Sequence, residues 1–112
     1  AGYRRVRTEA YVLTEAGEGT LPLKLYWNEA VGDHATVATA EGERDALAGG
    51  YAFEGSQGFV YAEPRPGTVP LKQFWNAANR RSLLTATPKE EADAIDQGYA
   101  FVRIEGYAFV DP

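Results

Sequence analysis

The stretch "PLKLYWN", residues 22–28, alternates like a β-strand, with Leu23, Leu25 and Trp27 on one face and Lys24, Tyr26 and Asn28 on the other. "PLKQFWN", residues 70–76, repeats the pattern, with Leu71, Gln73 and Trp75 set against Lys72, Phe74 and Asn76. Both faces carry an aromatic, so these strands are expected to pack on each side. Residues 34–39 ("HATVAT") and 82–87 ("SLLTAT") read as second strands joined to the first by loops. A helix start follows at "TPKEEADAIDQG": Thr87 as N-cap, Pro88 at N1 and Glu90 at N3 form a capping box whose cap is worth about 1 kcal/mol. That helix runs to about Gln97 and stops at Gly98. In the first half Thr39 is the cap and Gly50 the stop, but Gly42 stands where the capping Glu should be, so a weaker helix is expected there. Tyr99, Phe101, Arg103 and Glu105 then alternate with Ala100, Val102 and Ile104, and Gly106 marks a bulge or turn before "YAFV".

These elements recur at one spacing. A shift of 48 positions (70 − 22) lays Pro22 on Pro70, Lys24 on Lys72, Trp27 on Trp75 and Asn28 on Asn76, then "GYAF" at 50–53 on "GYAF" at 98–101. The same shift lays residues 2–22 over 50–70, matching Gly2, Tyr3, Val12, Glu15, Gly19, Thr20 and Pro22. The chain therefore reads as a tail followed twice by a head and a tail. Three tails and two heads imply that each head packs between the tail before it and the tail after it, since repeat units bury their apolar faces on neighbours. The expected organisation is one repeat domain, 1–112: a partial repeat of tail strands at 1–20, a first repeat at 21–68 and a second at 69–112, or about two and a third units. The expected fold is α+β and mostly β, with tandem ββαββ-type repeats, one short helix in each, preceded by an extra N-terminal β tail. Two heads rather than three argue against a three-fold trefoil.

Composition narrows the function. The 112 residues are 45% hydrophobic and 24% charged with fourteen aromatics (seven Tyr, five Phe, two Trp), which fits a folded globular chain. A net charge of −5 repels phosphate backbones, and only Arg4, Arg5 and Arg7, then Arg80 and Arg81, form basic clusters, so nucleic acid is not an expected partner. No apolar run is long enough for a transmembrane helix. Absence of Cys excludes disulfides, thiol catalysis and Cys-ligated metals, and is compatible with either redox compartment. The start on Ala1 in a chain without Met points to a processed, secreted product.

Catalytic chemistry has little to stand on. His34 is the single histidine and follows Asp33, and neighbours on a strand point to opposite faces, which disfavours a dyad. Ser56 and Ser82 are the only serines. Glu41, Glu43 and Asp45 in one helix, and Glu90, Glu91 and Asp93 in the other, fit carboxylates near a helix N-terminus at a solvated surface. No metal site and no cofactor are expected, because Asp33 and His34 lack further ligands nearby in sequence. Recognition by aromatic and polar groups remains: Trp27 and Trp75 as platforms for an apolar sugar face, with Asn28, Asp33 and His34 in the first loop and Asn76, Arg80 and Arg81 in the second. The competing reading makes both Trp residues packing groups at the ends of core strands.

The phrases "PLKLYWN…GDHATVATAEGERDALAGGYAF" and "GTVPLKQFWN…TAT…GYAFVRIEGYAFV" resemble a tandem repeat of exported actinobacterial and fungal proteins, in which a "PLKLYW" strand leads to "GDNFTTAT", a helix and "GYRFVRVEGYVF". The pattern is distantly similar to "PLYRFYN…GDHFYTT" repeats found beside secreted hydrolases, and it covers nearly the whole chain. The resemblance implies an accessory, non-catalytic module that binds surfaces or glycans. The chain departs from it at Ala35, where an aromatic is expected, and at Asn79, Arg80 and Arg81, which replace the Gly and Asp of the loop. The leading expectation is a secreted binding module for carbohydrate or a cell-surface component. The alternative is a protein-interaction module, such as a small inhibitor or effector, acting through acidic loops, a strand edge or Arg80 and Arg81.

Overall fold

A computed structural model describes the backbone of residues 3–7 and 10–109. Gly2 and the side chains of the Arg4, Arg5 and Arg7 cluster lie outside the described residues. The elements run β1 (Tyr3–Arg7), β2 (Ala10–Leu13), β3 (Thr20–Asn28), β4 (Asp33–Val37), α1 (Ala40–Ala48), β5 (Ala52–Tyr61), β6 (Thr68–Asn76), β7 (Arg81–Thr85), α2 (Pro88–Asp96) and β8 (Ala100–Phe109). The fold is mostly β, with two short helices and one antiparallel sheet of order β4-β3-β5-β2-β8-β6-β7, β1 pairing with β2 off this path. Among the described residues no helix is long and apolar enough to cross a membrane.

The two halves fold in one register. β3 pairs with β5 as Leu23↔Gly58 and Trp27↔Ala52, and β6 pairs with β8 as Leu71↔Gly106 and Trp75↔Ala100, the same pairs moved by 48 (71 − 23). Each head strand thus bonds to the tail that follows it, while Leu23 of the first head shares a core with Val12 of the tail before and Val60 of the tail after.

The tails also depart from the ββαββ reading. β5 and β8 are single ten-residue strands, and only the first tail is divided, into β1 and β2. The reason is bulging: Gln57 and Glu54 in β5, and Glu105 and Val102 in β8, are extra residues without a cross-strand partner on β3 or β6. A bulge bends the strand and re-aims its side chains without ending it.

At their C-terminal ends the three tails close on one another. Leu13 pairs with Phe59, Tyr61 with Tyr107, and Phe109 with Tyr11. The first pair moved by 48 (61 − 13) gives the second, and the second moved again gives the third, with the partner returning to the start of the chain. Gly58 and Gly106 make this closure possible, because a Cβ on either would lie 2.6 Å from Leu13 O or 2.5 Å from Val60 Cγ2. Val12, Val60 and Ala108 from the three tails, with Leu23 and Leu71 at 0% exposure from the heads, form the main core. A smaller core of Tyr26, Ala35, Val37, Ala46 and Tyr51 lies between the first head strands and α1.

Both helices span nine residues and begin at the expected threonines: the Thr39 hydroxyl accepts from Gly42 N and the Thr87 hydroxyl from Glu90 N. Gln97 occupies the C-cap of α2 and Gly49 that of α1, one residue before the expected stops. Glu90 reaches back to accept from Ala86 N at 2.7 Å and completes the capping box of α2. For α1 the missing carboxylate comes from another part of the chain. Glu105, on the bulge of β8, accepts from Ala38 N (2.7 Å), Thr39 N (2.9 Å) and the Thr39 hydroxyl (2.9 Å). Gly42 leaves it room, since a Cβ there would lie 2.5 Å from the Glu105 carboxylate.

Candidate functional site

A cavity of about 360 Å³ opens between the first head and the second. One wall is β4 and α1, with Val31, Ala35, Val37 and Ala46. The other is β6, β7 and β8, with Gln73, Trp75, Arg80, Ser82, Val102 and Arg103.

Its polar groups are held from several elements. On β4, strand alternation buries Asp33 and exposes His34, so the two do not meet, as their adjacency implied. Asp33 Oδ2 accepts the Tyr51 hydroxyl at 2.7 Å and Ser82 N at 3.0 Å, joining the two heads. Burial, reinforced by that bond to Asp33, raises the Tyr51 hydroxyl above its ordinary pKa, so it stays a neutral donor. Arg81 ties the same seam by donating to the carbonyls of Val31 (2.8 Å) and Gly32 (3.1 Å). Arg103 donates to Glu105 Oε2 at 3.1 Å and pairs with Asp45. Burial works against its charge, but the hydrogen bond and charge of Glu105, with Asp45 behind them, outweigh burial and raise its pKa. The site therefore holds a fixed cation beside a carboxylate.

Two features of the cavity are costly for folding alone. Gln73 is 6% exposed, and its Oε1 is buried without a hydrogen-bond partner. Leaving such an acceptor unpaired costs about 1–3 kcal/mol. Arg80 has a φ of 56°, at the place where the first head has Gly32 with a φ of 68°. A non-glycine residue in this left-handed region costs about 1–2 kcal/mol. Both residues line the cavity.

The residues expected from the sequence are divided by the fold. Asn28, Trp75 and Arg80 line the cavity, and Asp33 and Arg81 brace its seam. Asn28 and Asn76 each also close a head: Nδ2 donates to the carbonyl of Gly49 or Gln97, and Oδ1 accepts from Ala30 N or Asn79 N. Trp27 and His34 are not on the cavity. Their ring centroids lie 4.3 Å apart with the planes tilted by 42°, and His34 Nε2 meets Glu54 Oε1 at 3.1 Å on a partly exposed face. The two Trp residues are thus equivalent in sequence and different in surroundings.

Sequence reasoning passed over Gln73, Arg103, Asp45, Tyr51 and Glu105. The available signal was the mismatch between halves: Gln73 replaces Leu25, Arg103 replaces Gly55 and Glu105 replaces Gln57. Among the described residues no cluster of His, Asp or Glu is arranged to hold a metal ion.

The chain belongs to the family described as Domain of unknown function (DUF5648), whose pattern matches residues 1–109. No curated protein and no solved structure matches it.

Proposed function

For this member of the family we propose a non-catalytic binding module, exported from the cell, that takes a carbohydrate into the cavity between its two heads. In this reading the chain is a tandem array of two heads and three tails, and the selective residues are those that differ between heads. The observation that carries it is the unpartnered Gln73 Oε1 in the cavity that Trp75 lines. An indole offers a flat apolar surface to a sugar ring. Gln73, Arg103 and Asp45 supply an acceptor, a cation and a carboxylate to orient hydroxyl groups. Export is supported by the resemblance to repeats of exported proteins. Titration of the protein with a panel of oligosaccharides, read by Trp fluorescence and by nuclear magnetic resonance of the Gln73 side-chain amide, tests the proposal. Binding that is lost in Trp75→Ala and Gln73→Leu and kept in Trp27→Ala supports it, and an absence of binding to every saccharide overturns it.

A second reading, a protein-interaction module, is favoured by the exposure of Phe101, Val102 and Ile104 along β8, an apolar run on a strand that also borders the cavity. It predicts a partner captured from culture fluid whose binding survives Trp75→Ala and fails in Val102→Asp.

A further inference from the structure

Two groups on the cavity between the heads have demands that the chain does not meet, and the demands are of opposite kinds. Gln73 Oε1 is an acceptor without a donor, on a side chain 6% exposed. Arg80 is a cation without a counter-ion. Of the two guanidiniums that line the cavity, Arg103 is matched by Glu105 Oε2 at 3.1 Å and by Asp45. Arg80 has no carboxylate within ion-pair reach among the described residues. Asp33 is taken up by the Tyr51 hydroxyl and Ser82 N and forms no pair with it. The Arg80 charge still reaches this end of the cavity, since it opposes the rise in the Tyr51 pKa.

The backbone is strained where it presents this cation. Arg80 has a φ of 56° at the counterpart of Gly32 (80 − 48 = 32), and strain of this kind gathers at ligand-binding positions. Between the two loops the pair Gly32 and Asp33 becomes Arg80 and Arg81, so the formal charge goes from −1 to +2 in a chain whose net charge is −5. Arg81 is occupied with the carbonyls of Val31 and Gly32, which leaves Arg80 to the cavity. A ligand that answers both Gln73 and Arg80 must donate through a hydroxyl and also carry an anionic oxygen group. A neutral sugar meets only the first demand, and a simple carboxylate ion only the second.

Resting on the saccharide reading above, we propose that the cavity selects an acidic saccharide, a sugar ring that bears a carboxylate or a sulfate. The anionic group lies on the Arg80 guanidinium, whose planar fork suits paired oxygens, a ring hydroxyl donates to Gln73 Oε1, and the apolar face of the ring lies against Trp75. Asp45 enters from α1 on the facing wall. Its carboxylate repels the anionic group and accepts from a hydroxyl, so the ring enters in one orientation.

The test is a calorimetric titration of the full 112-residue protein. The probes are oligosaccharides of glucuronate, galacturonate and mannuronate, each beside its carboxyl methyl ester and its neutral parent, with sulfated forms of the same parents. The expected result is an acid bound about tenfold or more tightly than its ester or parent, with a preference that shrinks as salt is raised. The tighter of the carboxylate and sulfate series identifies the group. Arg80→Asn, which removes the charge and keeps a residue suited to left-handed backbone, should bring the ratio of acid to neutral affinity to about one, and Arg80→Lys should keep part of it. Lys89→Gln, at an exposed cation of α2 outside the cavity, should leave the ratio as it is. Glutarate, which brings the charge without the ring, should not displace the bound acid at equal concentration, and displacement overturns the proposal. Equal binding of acid and neutral forms, or a preference that persists in Arg80→Asn, overturns it and leaves the saccharide reading standing. Binding of no saccharide overturns both.

Discussion

The β3–β4–α1 segment and the β6–β7–α2 segment share a strand register, a threonine N-cap and an asparagine that closes the helix, yet they obtain their capping carboxylate from different places. α2 carries its own in Glu90, so the second head is locally complete. α1 borrows Glu105 from the last strand, so the first head depends on closure of the chain. The strand-to-helix ties differ as well. Lys72 pairs with Glu91 at 2.8 Å, and Phe74 has no hydroxyl to join them, whereas Glu43 in the first head accepts from both Lys24 (3.3 Å) and the Tyr26 hydroxyl (2.6 Å). Two solutions to one packing problem show where each segment is anchored: one in itself, the other across the ring.

Breaking the borrowed cap should have the largest effect. Glu105→Ala strands the buried donors of Ala38, Thr39 and Arg103 and should cost about 3–5 kcal/mol in urea unfolding. Glu90→Ala should cost only about 1 kcal/mol. Transplanting the cap sharpens the comparison: Gly42→Glu alone should destabilise the fold by crowding Glu105, and paired with Glu105→Ala it should recover about 1–2 kcal/mol of the loss in a double-mutant cycle. Arg80→Gly should raise stability by about 1 kcal/mol by relieving the left-handed arginine and make the loop resemble the first head, while weakening saccharide binding.

The smallest effects are in pH dependence. Burial, helped by the bond to Glu43, pushes the Tyr26 hydroxyl from 10.0 up to about 12. Its contribution is complete below pH 10.0 and is lost as pH rises through about 12. Glu43 is displaced in the other direction, its pKa lowered from 4.5 by the Tyr26 and Lys24 hydrogen bonds, so its contribution is present above pH 4.5 and is lost as pH falls through the lowered value. Tyr26→Phe, which copies Phe74, should flatten the alkaline limb of stability against pH and reduce the acid limb. Thermal melts from pH 3 to 12 check both slopes.

Much of the fold was legible in the sequence because it is local. Alternation in "PLKLYWN", the Thr87–Pro88–Glu90 signature and the glycines after the helices are short-range instructions, and the strands and helices fall within a residue or two of them. The single long tail strands were not legible, since bulges at Gln57 and Glu105 keep a strand going where alternation alone reads two. The supply of Glu105 to α1 spans 66 residues (105 − 39), beyond any local rule. At the site, Trp75 and Arg80 were found by residue type and Trp27 was grouped with them by equivalence, but Gln73 and Arg103 show themselves only as polar replacements of Leu25 and Gly55. Where two halves answer to one pattern, the positions at which they disagree mark the cavity better than those at which they agree.

The two indoles give the most direct test of a binding site between the heads. Single-tryptophan proteins, Trp27→Phe and Trp75→Phe, would be titrated with the saccharide selected from the panel while emission is recorded. A shift and quench confined to the protein that keeps Trp75 is the predicted result, and a response carried by Trp27 alone would contradict the account.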